Sequence, residues 1–280
     1  MPELPDLLYI QKYLKKHIVG RTIRSAEVKQ PIVLRITIER KFEDAICGAA
    51  INNVLIHGPF IRFDLSNSLH LVCNLMLAGK LQHQRKSEKT EGYLCFSLLL
   101  DDESRLNLCD EQQMAKAYLV RQDDFAQIPK YLQQGVDIGS AEFTVEIFKD
   151  LARKHSRKQV RVFINDHTIL SSIGNAYADE ILFDAKIHPK TFVAKLSSEE
   201  VEQLYRSIVS VMKWGIAKVA EAAKPIQLKT RDHMKVRNRK DSPCPRCGTT
   251  IRREGVRGFD VFFCPHCQPA SRNLFIDWKK

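Results

Sequence analysis

Residues 244–267 read CPRCGTTIRREGVRGFDVFFCPHC, two C-x2-C pairs separated by sixteen residues. Knuckles at this separation can set Cys244, Cys247, Cys264 and Cys267 tetrahedrally around one Zn²⁺, with a β-hairpin carrying the chain between them. Four thiolates close the coordination shell. Such a zinc is structural, and His266 inside the second knuckle is not needed as a ligand. A pair of disulfides or a redox site is the alternative, disfavoured in a reducing compartment. The hairpin carries Arg252, Arg253 and Arg257 beside Phe259, Phe262 and Phe263. The cations could reach phosphate, whereas Phe262 and Phe263 are expected to form the ribbon's own core. Zinc alone does not separate a DNA-binding from a protein-binding module.

Upstream of the knuckles, residues 225–241 are polar and basic without apolar spacing, and read as a linker. Residues 197–223 carry Val201, Leu204, Ile208, Val211 and Met212 at helical spacing behind a Ser197/Glu200 capping box. Residues 4–18 repeat this pattern with Leu7, Leu8, Ile10, Leu14 and Ile18. Between them the period changes. Apolar runs at 22–28, 33–38, 60–65, 69–75, 93–100, 105–109 and 117–120 alternate with turn residues such as Asn52-Asn53, Gly58-Pro59, Ser66-Asn67 and Asp101-Asp102. The expected fold is α+β: an N-terminal β-sandwich domain over 1–125, a helical domain over 140–225 and a zinc finger over 240–270, with the first boundary within 122–140.

The chain has 280 residues, 44% of them hydrophobic and 28% charged, enough for two cores and unlike a disordered segment. No apolar run reaches the length of a membrane span, and MPELPDLLYI lacks the basic leader of an export signal, so a cytoplasmic location is expected. The formal charge is +11, and residues 221–280 hold fourteen Lys or Arg against six Asp or Glu. A second basic stretch comprises Arg153, Lys154, Arg157, Lys158 and Arg161. Such clustering favours a polyanionic partner through counterion release, without naming the polyanion. Cys47, Cys73, Cys95 and Cys109 lie scattered among apolar residues and are expected to be small buried hydrophobes.

Three motifs in order, Pro2-Glu3-Leu4-Pro5, the segment SIGNAYADE at 172–180 and the four-cysteine ribbon closing on Cys267-Gln268, resemble the formamidopyrimidine-DNA glycosylase and endonuclease VIII family. The resemblance spans nearly the whole chain. It implies a β-sandwich, a helix-two-turn-helix domain and damaged duplex DNA running between them, with the damaged nucleotide flipped out of the stack. It also implies that Pro2, freed of Met1, attacks C1′ through its secondary amine to give an iminium that permits strand cleavage, while Glu3 moves protons. On the residues alone, Pro2, Glu3 and Pro5 equally describe the start of a helix. Gly174-Asn175 reads as a turn followed by an N-cap, and the resemblance gives Asn175 a DNA-backbone contact as well. Glu180 is expected to support the helix junction.

Matching the family's void-filling residues places them on Leu77, Gln112 and Met114. Leu77 and Met114 can wedge between bases, and Gln112 can hydrogen-bond the orphan base. The family's strand-leading lysine falls on Pro59, with Arg62 as one substitute, and its finger arginine falls on Phe259, two residues from Arg257. Lys158, Asn175 and Arg257 complete the expected DNA contacts. The expected activity is removal of a damaged, oxidised base with abasic-site lyase chemistry, by a monomer. The alternative is the same scaffold binding abasic or distorted DNA without efficient excision.

Overall fold

The first helix, α1 (Leu4–His17), begins where Glu3 and Asp6 form a reciprocal capping box: the Glu3 side chain accepts from the Asp6 N–H, and the Glu3 N–H donates to Asp6 at 2.9 Å. Pro5 sits in the first turn, where no intrahelical N–H is required. Lys15, Lys16 and His17 oppose the dipole at the other end, and Leu7, Ile10 and Leu14 are buried. The computed structural model describes residues 1–85, 87–256 and 258–270. Contacts divide the chain into two units, one of Met1–Gln133 with Val219–Thr230, the other of Gln134–Lys218 with the chain from Arg231 on.

In the first unit α1 is followed by β1 (Ile23–Val28), β2 (Leu34–Ile36), α2 (Phe42–Ile46), β3 (Ile51–His57), β4 (Phe60–Leu65), β5 (Leu69–Asn74), β6 (Lys80–Gln84), β7 (Leu94–Leu100), β8 (Arg105–Cys109) and β9 (Lys116–Arg121). They form a four-stranded sheet ordered β1-β7-β8-β6 and a five-stranded sheet ordered β2-β9-β5-β4-β3. Only the β2–β9 pairing is parallel among these. Alternation along β4 decides the layers: Ile61, Phe63 and Leu65 join the main core with Leu71, Phe96, Leu98 and Leu106. Phe60, on the opposite face, packs with Val72, Val120, Ile128 and Tyr131. The segment after β9 therefore covers the outer face of the sheet.

Two strands and one short helix escape the expected pattern. Asn52-Asn53 is not a turn but lies inside β3, at a register shift between Ile51 and Asn53. β6 reads KLQHQ without apolar alternation, yet its Gln82 is buried because its amide donates to Lys89 O and accepts from the Glu91 N–H. Residues 42–46 are too few to show a period. Cys73, Cys95 and Cys109 are buried, but Cys47 is exposed, since it stands at the C-cap of α2 beyond the helix's buried face.

The second unit contains β10 (Val136–Asp137), α3 (Val145–Lys154), α4 (Val160–Ile164), β11 (Leu170–Ser171), α5 (Asn175–Ala185), most of α6 (Ser198–Ala222), β12 (Arg252–Val256) and β13 (Phe259–Phe263). The expected capping box opens α6, with Ser197 Oγ accepting from the Glu200 N–H at 3.2 Å and Glu200 accepting from the Ser197 N–H at 2.8 Å. Gly215 in the middle of α6 is a packing requirement. A Cβ there would stand 2.2 Å from the Tyr177 ring. β12 and β13 form the finger's hairpin, in which Phe262 and Phe263 are buried as expected. Among the described residues no helix is long and apolar enough to cross a membrane.

Candidate nucleic-acid interface and metal centre

Pro2 and Glu3 are both buried, and Glu3 is held by the capping box that starts α1. Pro2 lines a small cavity with Asp6, Tyr9, Lys80, Leu228 and Lys229. The chain's terminal amine, on Met1, donates to the Leu77 carbonyl at 3.4 Å, and Lys229 Nζ donates to the same oxygen at 2.9 Å. A second cavity of about 280 Å³ adjoins this point, lined among others by Leu77, Lys80, Tyr93, Gln112, Leu228 and Lys229. Sequence reasoning missed Lys80, Leu228 and Lys229, which carry no spacing signal and are assembled only by folding.

The expected wedge residues sit on two tight turns of this unit. Asn74 Oδ1 accepts from the Met76 N–H, and Met76 takes a positive φ of 49° immediately before Leu77. Asp110 repeats the device, accepting from the Gln112 and Ala115 N–H groups at 2.9 and 2.7 Å, with Gln113 at φ 53° just before Met114. Left-handed backbone at non-glycine residues is costly and persists only where neighbours over-determine it. Both turns push an apolar side chain into solvent: Leu77 is 56% exposed and Met114 38%. Gln112 is exposed beside the larger cavity.

Pro59 lies in the turn between β3 and β4 and offers no cation. Arg62 does not replace one. Its guanidinium pairs with Asp64 at 2.8 Å, lies 3.4 Å from the Tyr131 hydroxyl and stacks over Phe125, on the outer face of the sheet and away from the main core.

In the second unit Asn175 is not the N-cap. Gly174 occupies that position without a side-chain cap, and Asn175 is the first residue of α5. Its side-chain oxygen accepts from Arg161 at 3.0 Å and from Asn165 at 3.1 Å, which uses the acceptor end and leaves the Nδ2 donors to point elsewhere. Arg161 is itself 2% exposed and paired with Asp179, so it is a buried organiser and not the surface cation its place in a basic run suggests. Lys158 is half-exposed and pairs with Asp166 at 2.9 Å; Arg153 pairs with Asp150 at 2.7 Å. Burial raises the Asp166 carboxyl, but hydrogen bonds from Lys158 and Thr168 outweigh it and hold the group below its ordinary range.

Asp179 also accepts from Arg237 at 2.8 Å. Glu180 accepts the backbone N–H groups of Lys235, Val236 and Arg237, the last two at 2.9 Å, tying the otherwise irregular linker to α5. Burial pushes the Glu180 carboxyl above its ordinary range, against the pull of those three donors. The expected junction role of Glu180 thus takes a definite form. Asp179 and Arg237 were missed, because a buried ion pair between distant residues leaves no local signature.

The thiol sulfurs of Cys244, Cys247, Cys264 and Cys267 lie within 4.8 Å of one another. None is in a disulfide. The Arg246 N–H donates to Cys244 Sγ and the Cys267 N–H to Cys264 Sγ, both at 3.4 Å, the bonding that favours thiolate ligands within a knuckle. His266 is exposed outside the cluster. Four soft donors in this arrangement fit a structural metal ion. Arg253 pairs with Asp260 through two bonds, at 2.8 and 2.7 Å, while Arg257 lies outside the described residues.

An N-terminal β-sandwich with two turns that expose apolar side chains, a helical module and a four-cysteine finger follow in the order expected of a DNA glycosylase of the resembled family. Three family models match: the formamidopyrimidine-DNA glycosylase N-terminal domain over residues 1–117, the H2TH domain of the same glycosylases over 134–225, and a zinc finger found in FPG and IleRS over 241–270. The chain belongs to the formamidopyrimidine-DNA glycosylase family. It is 29% identical over 278 residues to the formamidopyrimidine-DNA glycosylase of Desulforamulus reducens, covering 97% of this chain and all of that one. The Mycoplasma pneumoniae enzyme of that name is 28% identical, with 96% and 99% covered. In fold the chain resembles Lactococcus lactis Fpg in complex with DNA containing an abasic site, with TM-score 0.87 at 23% identity over 96% of this chain and 100% of that one. It also resembles MutM in complex with DNA containing carbocyclic 8-oxo-G, with TM-score 0.86 at 24% identity and the same coverage.

Proposed function

We propose that this chain removes an oxidised base from duplex DNA and cleaves the resulting abasic site, with Pro2 as nucleophile and Glu3 as proton carrier. The observation that carries the proposal is the placing of the chain's start on the Leu77 carbonyl. It brings the segment that contains Pro2 beside a side chain that is 56% exposed and able to enter a duplex. With Met1 removed, the Pro2 amine attacks C1′ of a flipped nucleotide as the bond to the base breaks, and Glu3 protonates the departing base. The amine gives up its proton, the C1′–O4′ bond opens as O4′ takes a proton, and the resulting iminium acidifies C2′, whose proton is lost as the C3′–O bond breaks and the 3′-phosphate leaves. The relatives named for formamidopyrimidine-DNA support this substrate class.

Leu77, Gln112 and Met114 fill the gap left by the flipped nucleotide, and Asn175, Lys158 and Arg257 meet the DNA backbone. Arg161 and Asn165 occupy the Asn175 side-chain oxygen, so its amide donors are the groups left for a phosphate. Cys244, Cys247, Cys264 and Cys267 hold one zinc ion, which fixes the hairpin and takes no part in the chemistry.

Intact-mass measurement of the N-terminus followed by borohydride reduction on abasic duplex tests the proposal. A covalent protein–DNA adduct is expected from chain beginning at Pro2, less of it from Pro2→Gly, and none when Met1 is retained. Tight binding to abasic DNA without adduct or strand cleavage by processed protein would replace the enzyme with a binding protein.

A further inference from the structure

Lys229 occupies the same carbonyl as the chain's terminal amine. The Leu77 oxygen accepts from both, so the two nitrogens lie within two hydrogen-bond lengths of each other. Lys229 also lines the cavity that contains Pro2, next to Glu3, whose backbone and side chain the capping box of α1 holds. Trimming Met1 therefore leaves the new amine on a residue that shares its cavity with this ammonium.

We propose that Lys229 activates the N-terminal amine for attack, as a positioning residue whose charge disfavours the protonated amine. The proposal rests on the lyase reading above. An α-amino group ordinarily titrates at about 7.7–8.0, so near neutral pH most of an unassisted amine is protonated and cannot attack. A like charge close by makes the second proton costlier and enlarges the free-base fraction, the means by which a neighbouring cation activates amine nucleophiles.

The other titratable groups lining this cavity are Asp6, Tyr9 and Lys80. Asp6 accepts the Glu3 N–H, the Tyr9 hydroxyl donates to Lys224 O, and Lys80 adds a second ammonium to the lining. Glu3 is the adjacent carboxylate. Its side chain accepts the Asp6 N–H in the capping box. Leu75, Ile226 and Leu228 supply the apolar part of the lining.

The test is the pH dependence of single-turnover borohydride trapping on saturating abasic duplex, with processed wild type, Lys229→Met and Lys229→Arg. Wild type is expected to show a rising acid limb and a plateau. Lys229→Met should move that limb upward by about one pH unit, with about a ten-fold slower rate below it and an unchanged plateau. Lys229→Arg should keep the wild-type midpoint, because it restores the charge. A uniform loss in Lys229→Met at an unchanged midpoint, or no loss at all, overturns the role of Lys229 while leaving the lyase intact. Absence of any adduct from processed wild type overturns the lyase reading, and this proposal with it.

Discussion

Arg161 donates to Asp179 at 3.0 Å, and both side chains are sealed from solvent, at 2% and 0% exposure. Asp179 in turn binds Arg237, whose guanidinium stacks over Phe262 of the finger hairpin and donates to Asp260 O. One buried carboxylate thus joins α4, α5, the linker and the hairpin within the second unit. Asp179→Asn would leave two guanidinium groups facing it without a counter-charge. A loss of about 3–5 kcal/mol is expected, the range for breaking a buried pair by removing one partner, measured by urea unfolding. A loss under about 1 kcal/mol would mean that the network is hydrated and not buried.

The two turns that expose Leu77 and Met114 should be separable from the fold. Leu77→Ala removes an exposed side chain, so the unfolding midpoint should be unchanged while affinity for abasic duplex falls about ten-fold or more. Asp110→Ala differs because it deprives two backbone N–H groups of their acceptor. It is expected to cost about 1–3 kcal/mol of stability and to weaken the same complex. Equal stability losses in both variants would show that Leu77 is a packing residue.

Freshly purified protein should carry one zinc per chain. Cys264→Ser, at a fully buried ligand position, should lose the metal and unfold the hairpin while leaving the first unit folded. Elemental analysis together with near-ultraviolet circular dichroism before and after chelation reads both effects. A metal-free preparation with an intact hairpin signal would remove the zinc assignment.

Stability of the first unit should decline in mild acid. Burial lowers the pKa of His83, whose ring nitrogens meet the Tyr13 hydroxyl at 3.2 Å and Ser104 Oγ at 3.0 Å; the nearby His17 lowers it further. A depressed folded-state value means that the unfolded chain takes up the proton first. The stabilisation is therefore complete above the unfolded value near 6.5 and is lost as pH falls through the folded value. Thermal scans at pH 7.5 and 5 should show the decline, and His83→Gln should reduce it. An identical decline in the variant would assign it to other groups.

Local chemistry made much of this protein legible in one dimension. The cysteine spacing, the Ser197/Glu200 box and the alternation along residues 60–65 each specify their structure within a few residues, because ligand geometry, helix capping and strand pleat are local constraints. Residues 51–57 and 80–84 were not legible: β3 is recognisable only through its pairing with β4, and β6 only through the bonds that satisfy Gln82. Arg161 looked like a surface cation in a basic run, and only tertiary packing against Asp179 turned it inward. Lys229 is 152 residues from the Leu77 carbonyl it binds, a separation across which no periodicity or spacing carries information. The sequence by itself determined the modules, their order and the four-cysteine cluster. Which charges are buried as organisers, and which ammonium faces the N-terminal amine, was decided by long-range packing, because burial and proximity are properties of the closed chain.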